Sequence, residues 1–153
     1  RYNKILKNSY YFESPEVIYS SEEITEVSGQ WIKLLTKQAS LSPRKTCRLC
    51  LHRNKESVLH QMIILHNKTV HVPIHRHLHS NEILNVFSGS AIINFYKNNG
   101  AISKTINLSQ ENCLTVTIPK GIFHSLIVTS NWFLFQEIIG GPFIPKNTEL
   151  ADW

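Results

Sequence analysis

A chain of 153 residues is long enough for one domain with a sizeable core, and its 42% hydrophobic and 10% aromatic content is ordinary for a globular protein. No apolar run reaches the roughly 18 residues of a membrane span, and no apolar stretch with a cleavage site follows the basic Arg1–Lys4, so neither membrane insertion nor a signal peptide is expected. A net charge of +5 and a pI near 9.2 favour acidic small ligands, but lysines and arginines are dispersed without a basic block or aromatic RNA-binding signature, which argues against nucleic acid.

In chain order, Tyr10-Tyr11-Phe12 and Val17-Ile18-Tyr19 read as short strands or as an arm crossing a neighbouring subunit. Ser20-Ser21-Glu22-Glu23 has the form of a capping box. Behind it Ile24, Val27, Trp31, Leu34 and Leu35 recur at spacings of three and four, predicting an amphipathic helix to Gln38. Gly29 weakens that helix by about 1 kcal/mol relative to Ala, and Ser42-Pro43 ends it. Residues 1–45 therefore form an N-terminal arm and helix, and residues 46–153 the main unit.

From Thr46 onward, short apolar or alternating runs predict strands near 46–51, 58–65, 70–75, 82–87, 90–97, 101–108, 113–118, 124–129 and 132–139. Turn residues separate them, with Asn99-Gly100 a strong two-residue hairpin signal. Many short strands with little helix between them mean an all-β sandwich or barrel. Cys47, Cys50 and Cys113 are an odd set, which argues for a reducing compartment and against a disulfide framework. On a strand, Cys47 and Cys50 face opposite sides, so they read as structural residues and not as a zinc pair.

The chemistry lies in two histidine clusters. His75 and His77 share one face of a strand, a turn through Leu78–Asn81 returns Glu82 to the same side, and His124 enters after the Pro119-Lys120-Gly121 turn. Three imidazoles and a carboxylate suit one divalent metal: Fe, Mn, Co, Ni or Zn. Around them, Arg44, Arg48 and His52 are candidates for binding an acidic substrate group. Glu137 and Gln61, polar residues inside apolar runs, and His79, which continues the 75, 77 parity, are candidate acid–base groups. His71 is expected at a barrel rim, and His60 and His66 as structural or exposed.

The spacing His75-x-His77, four residues, Glu82, six residues, Gly89, then Pro119-x-Gly121-x-x-His124, resembles the two motifs of the cupin superfamily. Thr69 and Cys113 stand where each motif usually opens on glycine, and Val128 where an asparagine is common. The segments Ala39–His52, Pro73–His77 and Gly141–Trp153 resemble the WbuC-type cupins, over roughly residues 20–153. That resemblance implies a double-stranded β-helix (jelly-roll barrel) with a short N-terminal helical extension. It also implies a bacterial cytoplasmic setting and an association with O-antigen or capsule synthesis. A homodimer follows from the way cupins pair their barrel edges, with Tyr10–Tyr19 as a possible cover. Three functions fit: metal-assisted isomerisation or epimerisation of a sugar or sugar-nucleotide, Fe(II)-dependent oxygenation, and non-catalytic sugar binding or regulation.

Overall fold

The computed structural model describes residues 8–153; the basic opening Arg1–Lys4 lies outside the described residues. Two sheets face each other. The larger runs β1 (Tyr10–Ser14), β2 (Val17–Ser20), β3 (Thr46–Cys50), β4 (Leu59–Asn67), β11 (Trp132–Gly140), β6 (Glu82–Ser88), β9 (Thr115–Ile118) in spatial order. The smaller runs β12 (Thr148–Leu150), β5 (His75–His77), β10 (Phe123–Val128), β7 (Ala91–Tyr96), β8 (Ile102–Leu108). Every named pairing is antiparallel except β2 on β3. This is the all-β jelly roll expected from the strand pattern.

The space between the sheets is filled by one apolar cluster that includes Met62, Ile64, Leu84, Ile93, Leu126, Phe133 and Phe135. A second cluster lies on the outer face of the larger sheet, where Ile18, Cys47, Leu49, Ile63 and Leu65 meet the helix α1 (Gly29–Leu41) through Trp31, Leu35 and Ala39. Met62–Leu65 is a continuous apolar run because β4 is buried on both faces. Cys47 and Cys50 fall into different clusters, as the strand parity requires. Burial pushes both thiols up to about 12, which makes them inert structural residues.

The N-terminal region departs from the sequence reading. Ser20 ends β2 instead of capping a helix: its Oγ accepts from the Glu22 N–H at 3.2 Å and pairs with Thr25 Oγ1 at 2.5 Å. The helix starts nine residues later, behind Ser28, so Gly29 is its first residue and not an interior weak point. Ile24, assigned to the buried stripe, is 86% exposed for the same reason. Of the two readings of Tyr10–Tyr19, the structure forms the short strands, β1 and β2, with β2 paired to β3 of the same chain. The predicted strand 70–75 is mostly loop, with β5 beginning only at His75; β12 had no sequence signal.

Candidate metal centre

Two turns build the centre. Gly121 adopts φ +81, a left-handed conformation in which a side chain is strained, and its N–H donates to the His77 carbonyl at 2.7 Å. The Lys120 N–H donates to Asn81 Oδ1 at 3.0 Å. These bonds tie the turn before His124 to the segment linking His77 and Glu82. His75 and His124 are direct cross-strand partners on β5 and β10, while Glu82 opens β6 on the opposite sheet. Gly89 ends the first motif at φ +80, with the Trp132 carbonyl and Ser130 Oγ where a Cβ would stand, so only glycine fits.

One donor atom from each of His75, His77, Glu82 and His124 lies within 4.8 Å of all the others. Nδ1–H of His75 donates to the Pro73 carbonyl at 2.9 Å, and Nδ1–H of His124 to the Ile122 carbonyl at 2.9 Å. His77 Nδ1 meets Thr148 Oγ1 at 3.3 Å. These outer bonds leave each Nε2 with its lone pair turned inward, the arrangement that orients imidazole ligands in metalloproteins. Nε2 of His124 and Oε2 of Glu82 stand 3.0 Å apart, both buried, and among the described residues neither has a hydrogen-bond partner outside the four-residue cluster. Nε2 of His77 is 3.3 Å from the same oxygen.

Four acceptors around one point repel unless a cation sits among them. A single proton can satisfy one such contact; a divalent ion satisfies all four. Burial raises the Glu82 carboxyl, but the bonds and charge of His124 and His77 outweigh it and hold it well below the usual carboxylate range. Burial depresses His124 and Glu82 more than reverses that. His75 is lowered, chiefly by burial, and stays in the neutral ligating form. The donor set therefore fits a divalent metal, which His75, His77, Glu82 and His124 would hold.

A cavity of about 570 Å³ opens beside the centre, with His77, Glu137, Met62, Tyr19 and His52 among its walls. Glu137 shares the inward parity of Phe133 and Phe135 on β11, and burial, followed by the charge of Glu82, raises its carboxyl well above the usual range. His79 is exposed on the turn and borders the cavity mouth. Gln61 is not brought to the cavity: it has the parity of Ile63 and Leu65, which face the helix. Arg44 is bound by Glu16, its Nε donating to both carboxylate oxygens at 3.0 and 2.8 Å.

His52 is buried, its Nδ1 set against the Gln61 backbone at 3.2 Å, and its ring stacks on His60 with centroids 4.0 Å apart. His60 and Thr148 were not legible as contributors, because the β3–β4 register and β12 place them. A second cavity of about 570 Å³ is lined by His66, His71, Thr46 and Arg44. Arg48 and Glu137 line both cavities. Among the described residues no helix is long and apolar enough to cross a membrane.

Residues 27–108, more than half of the sequence, match a family model described as Domain of unknown function (DUF6016). The chain belongs to the DUF6016 family. No curated protein matches its sequence. Solved structures place this DUF6016 protein among cupin folds. CapF, a capsular polysaccharide assembling protein of Staphylococcus aureus, superposes with a TM-score of 0.54 at 18% identity, over 69% of this chain and 34% of its own. The protein SO0799 of Shewanella oneidensis gives 0.60 at 15%, over 82% and 85%. Bacillus subtilis oxalate decarboxylase, whose structure was used to study its Mn(II) centres, gives 0.50 at 15%, over 61% and 24%. The DUF6016 chain thus spans about a third of CapF and about a quarter of the decarboxylase. At these identities the likeness establishes the cupin fold.

Proposed function

We propose that this protein is a metal-dependent cupin that isomerises or epimerises a sugar or sugar-nucleotide used in surface-polysaccharide synthesis. The observation that carries the metal is the buried, partnerless pair His124 Nε2 and Glu82 Oε2, faced by two further imidazoles. A bound divalent ion supplies Lewis acidity toward a carbonyl or hydroxyl oxygen. The chain's own contribution to proton transfer is Glu137, whose carboxyl faces the cavity next to Glu82 and is placed to hold or release a proton at a carbon beside that oxygen.

The polysaccharide setting draws support from the resemblance to WbuC-type cupins and from CapF as a structural neighbour. The test is elemental analysis of protein purified without chelator, followed by assays of metal-loaded protein against a panel of nucleotide sugars. One equivalent of divalent metal and turnover that Glu137→Gln abolishes, with the metal retained, are the expected results. Neither turnover nor binding anywhere in the panel would overturn the sugar reading. Binding without turnover would instead make the protein a sugar-binding or regulatory cupin.

A further inference from the structure

The arginines around the cavities are not equivalent. Arg44 forks onto Glu16, and Arg76 forks onto Glu149 at 2.9 and 3.0 Å while lying 4.4 Å above the Phe123 ring. Arg48 has no side-chain hydrogen bond or ion pair among the described residues. It projects from β3 between Cys47 and Leu49, both fully buried under the helix, so its root is fixed. Its inward neighbours Cys50 and Ile64 are apolar, while Arg48 itself is exposed, so its guanidinium is accessible to a ligand.

Arg48 and Glu137 are also the two residues that both cavities share, so they mark a junction between chambers. The second chamber contains Arg44, but Glu16 already neutralises it. It also contains Thr46, whose hydroxyl pairs with His66 Nδ1 at 2.7 Å. The Arg48 guanidinium shares the chamber with Glu16 and Glu137 and feels the charge of both, but it forks onto neither, so its donors stay open to a planar or tetrahedral oxyanion gripped in two places.

We propose that the second chamber is an oxyanion subsite in which Arg48 binds the carboxylate or phosphate of a ligand whose other oxygens reach the metal centre past Glu137. The substrate class is then an acidic carbohydrate and not a neutral sugar. The metal-bound end of this ligand rests on the proposed function; the Arg48 end does not.

The experiment titrates the full chain calorimetrically with D-glucuronate, glucose 6-phosphate, inorganic phosphate and neutral D-glucose, both metal-loaded and after chelation. At least one acidic sugar is expected to bind about tenfold or more tighter than glucose, and the stronger of glucuronate and glucose 6-phosphate identifies the oxyanion. Arg48→Met is expected to remove that advantage in both metal states, and Arg53→Met, an exposed arginine lining neither chamber, to keep it. Arg48→Lys, which keeps the charge and loses the fork, is expected to fall between them and serves if Arg48→Met does not fold. Unchanged affinity in the Arg48 variants, equal binding of glucose, or no binding of any acidic probe at about 10 mM would overturn the subsite. Loss of acid binding on chelation with no effect of Arg48 would also overturn it, by assigning the anion to the metal. Absence of metal with Arg48-dependent binding intact would sink the proposed function alone.

Discussion

Two groups of imidazoles border one cavity, one through His77 and the other through His52 and His60, and they do different things. In the first, His75, His77 and His124 anchor their Nδ1 atoms outward, on Pro73, Thr148 and Ile122, and turn Nε2 toward Glu82. In the second, His52 and His60 stack ring on ring at 4.0 Å, nearly parallel at 13°, with no carboxylate paired to either among the described residues. Both groups are desolvated; only the first aims several lone pairs at a common point. Histidine count and burial do not make a metal site, whereas convergence of the free nitrogens does.

The largest effect that can test this contrast is on metal binding. Removing one convergent donor by His124→Ala or Glu82→Ala is expected to weaken divalent-metal affinity by about a thousandfold, about 4 kcal/mol. His60→Ala is expected to leave it unchanged. Competition titration against a chromogenic chelator reads both; a large loss in His60→Ala would merge the two groups into one site.

A third kind of buried histidine sharpens the contrast through pH. His66 accepts or donates one bond to Thr46 and otherwise lies against Phe135, and burial, followed by the charge of Arg48, lowers it to about 4. The unfolded chain takes up this proton near pH 6.5 and the folded one only near 4. Stability from this group is therefore complete above about pH 6.5, falls as the pH drops toward 4 and changes no further below. The loss amounts to about 3 kcal/mol. Urea unfolding of chelator-treated protein between those pH values is expected to show a shallower dependence in His66→Phe than in the wild type. Equal slopes would place the titration elsewhere.

Much of the first group was visible in the sequence, and little of the second. The parity of His75 and His77 on one short strand, the four-residue return to Glu82 and the Pro-x-Gly turn before His124 are local features, and each survives folding unchanged. The inward position of Glu137 was legible for the same reason, since Phe133, Phe135 and Glu137 alternate on β11. Gln61 was not: Met62–Leu65 is apolar on both faces, so the run hides which parity points inward. Pairing of His52 with His60 depends on how the chain between β3 and β4 closes, and Thr148 on a three-residue strand that forms against β5. The Ser20–Glu23 capping pattern misled because the β2 ladder takes Ser20, its capping residue.

Backbone packing sets the next smaller effect. A Cβ on Gly141 would collide with the Ser57 carbonyl and come within 2.7 Å of His60 Nε2, so this glycine lets the strand end press against the stacked pair. Gly141→Ala is expected to cost about 2 kcal/mol by chemical denaturation, with metal stoichiometry retained. Metal loss there would show that the stacked end supports the ligands.

The smallest effect is the most discriminating. His60 is buried and its Nε2 has no hydrogen-bond partner, an arrangement that forgoes about 1–3 kcal/mol. A ligand group reaching that end of the cavity, or nothing at all, could answer it. Phenylalanine keeps a flat ring for the stack on His52 and deletes the orphan nitrogen. If the imidazole is only packing, His60→Phe raises unfolding stability by up to about 1 kcal/mol and leaves both metal content and sugar binding as they were. If stability rises while sugar binding falls, the nitrogen contacts the ligand, and the cavity has a polar anchor at each end. The two groups would then differ in what they bind and not in whether they bind.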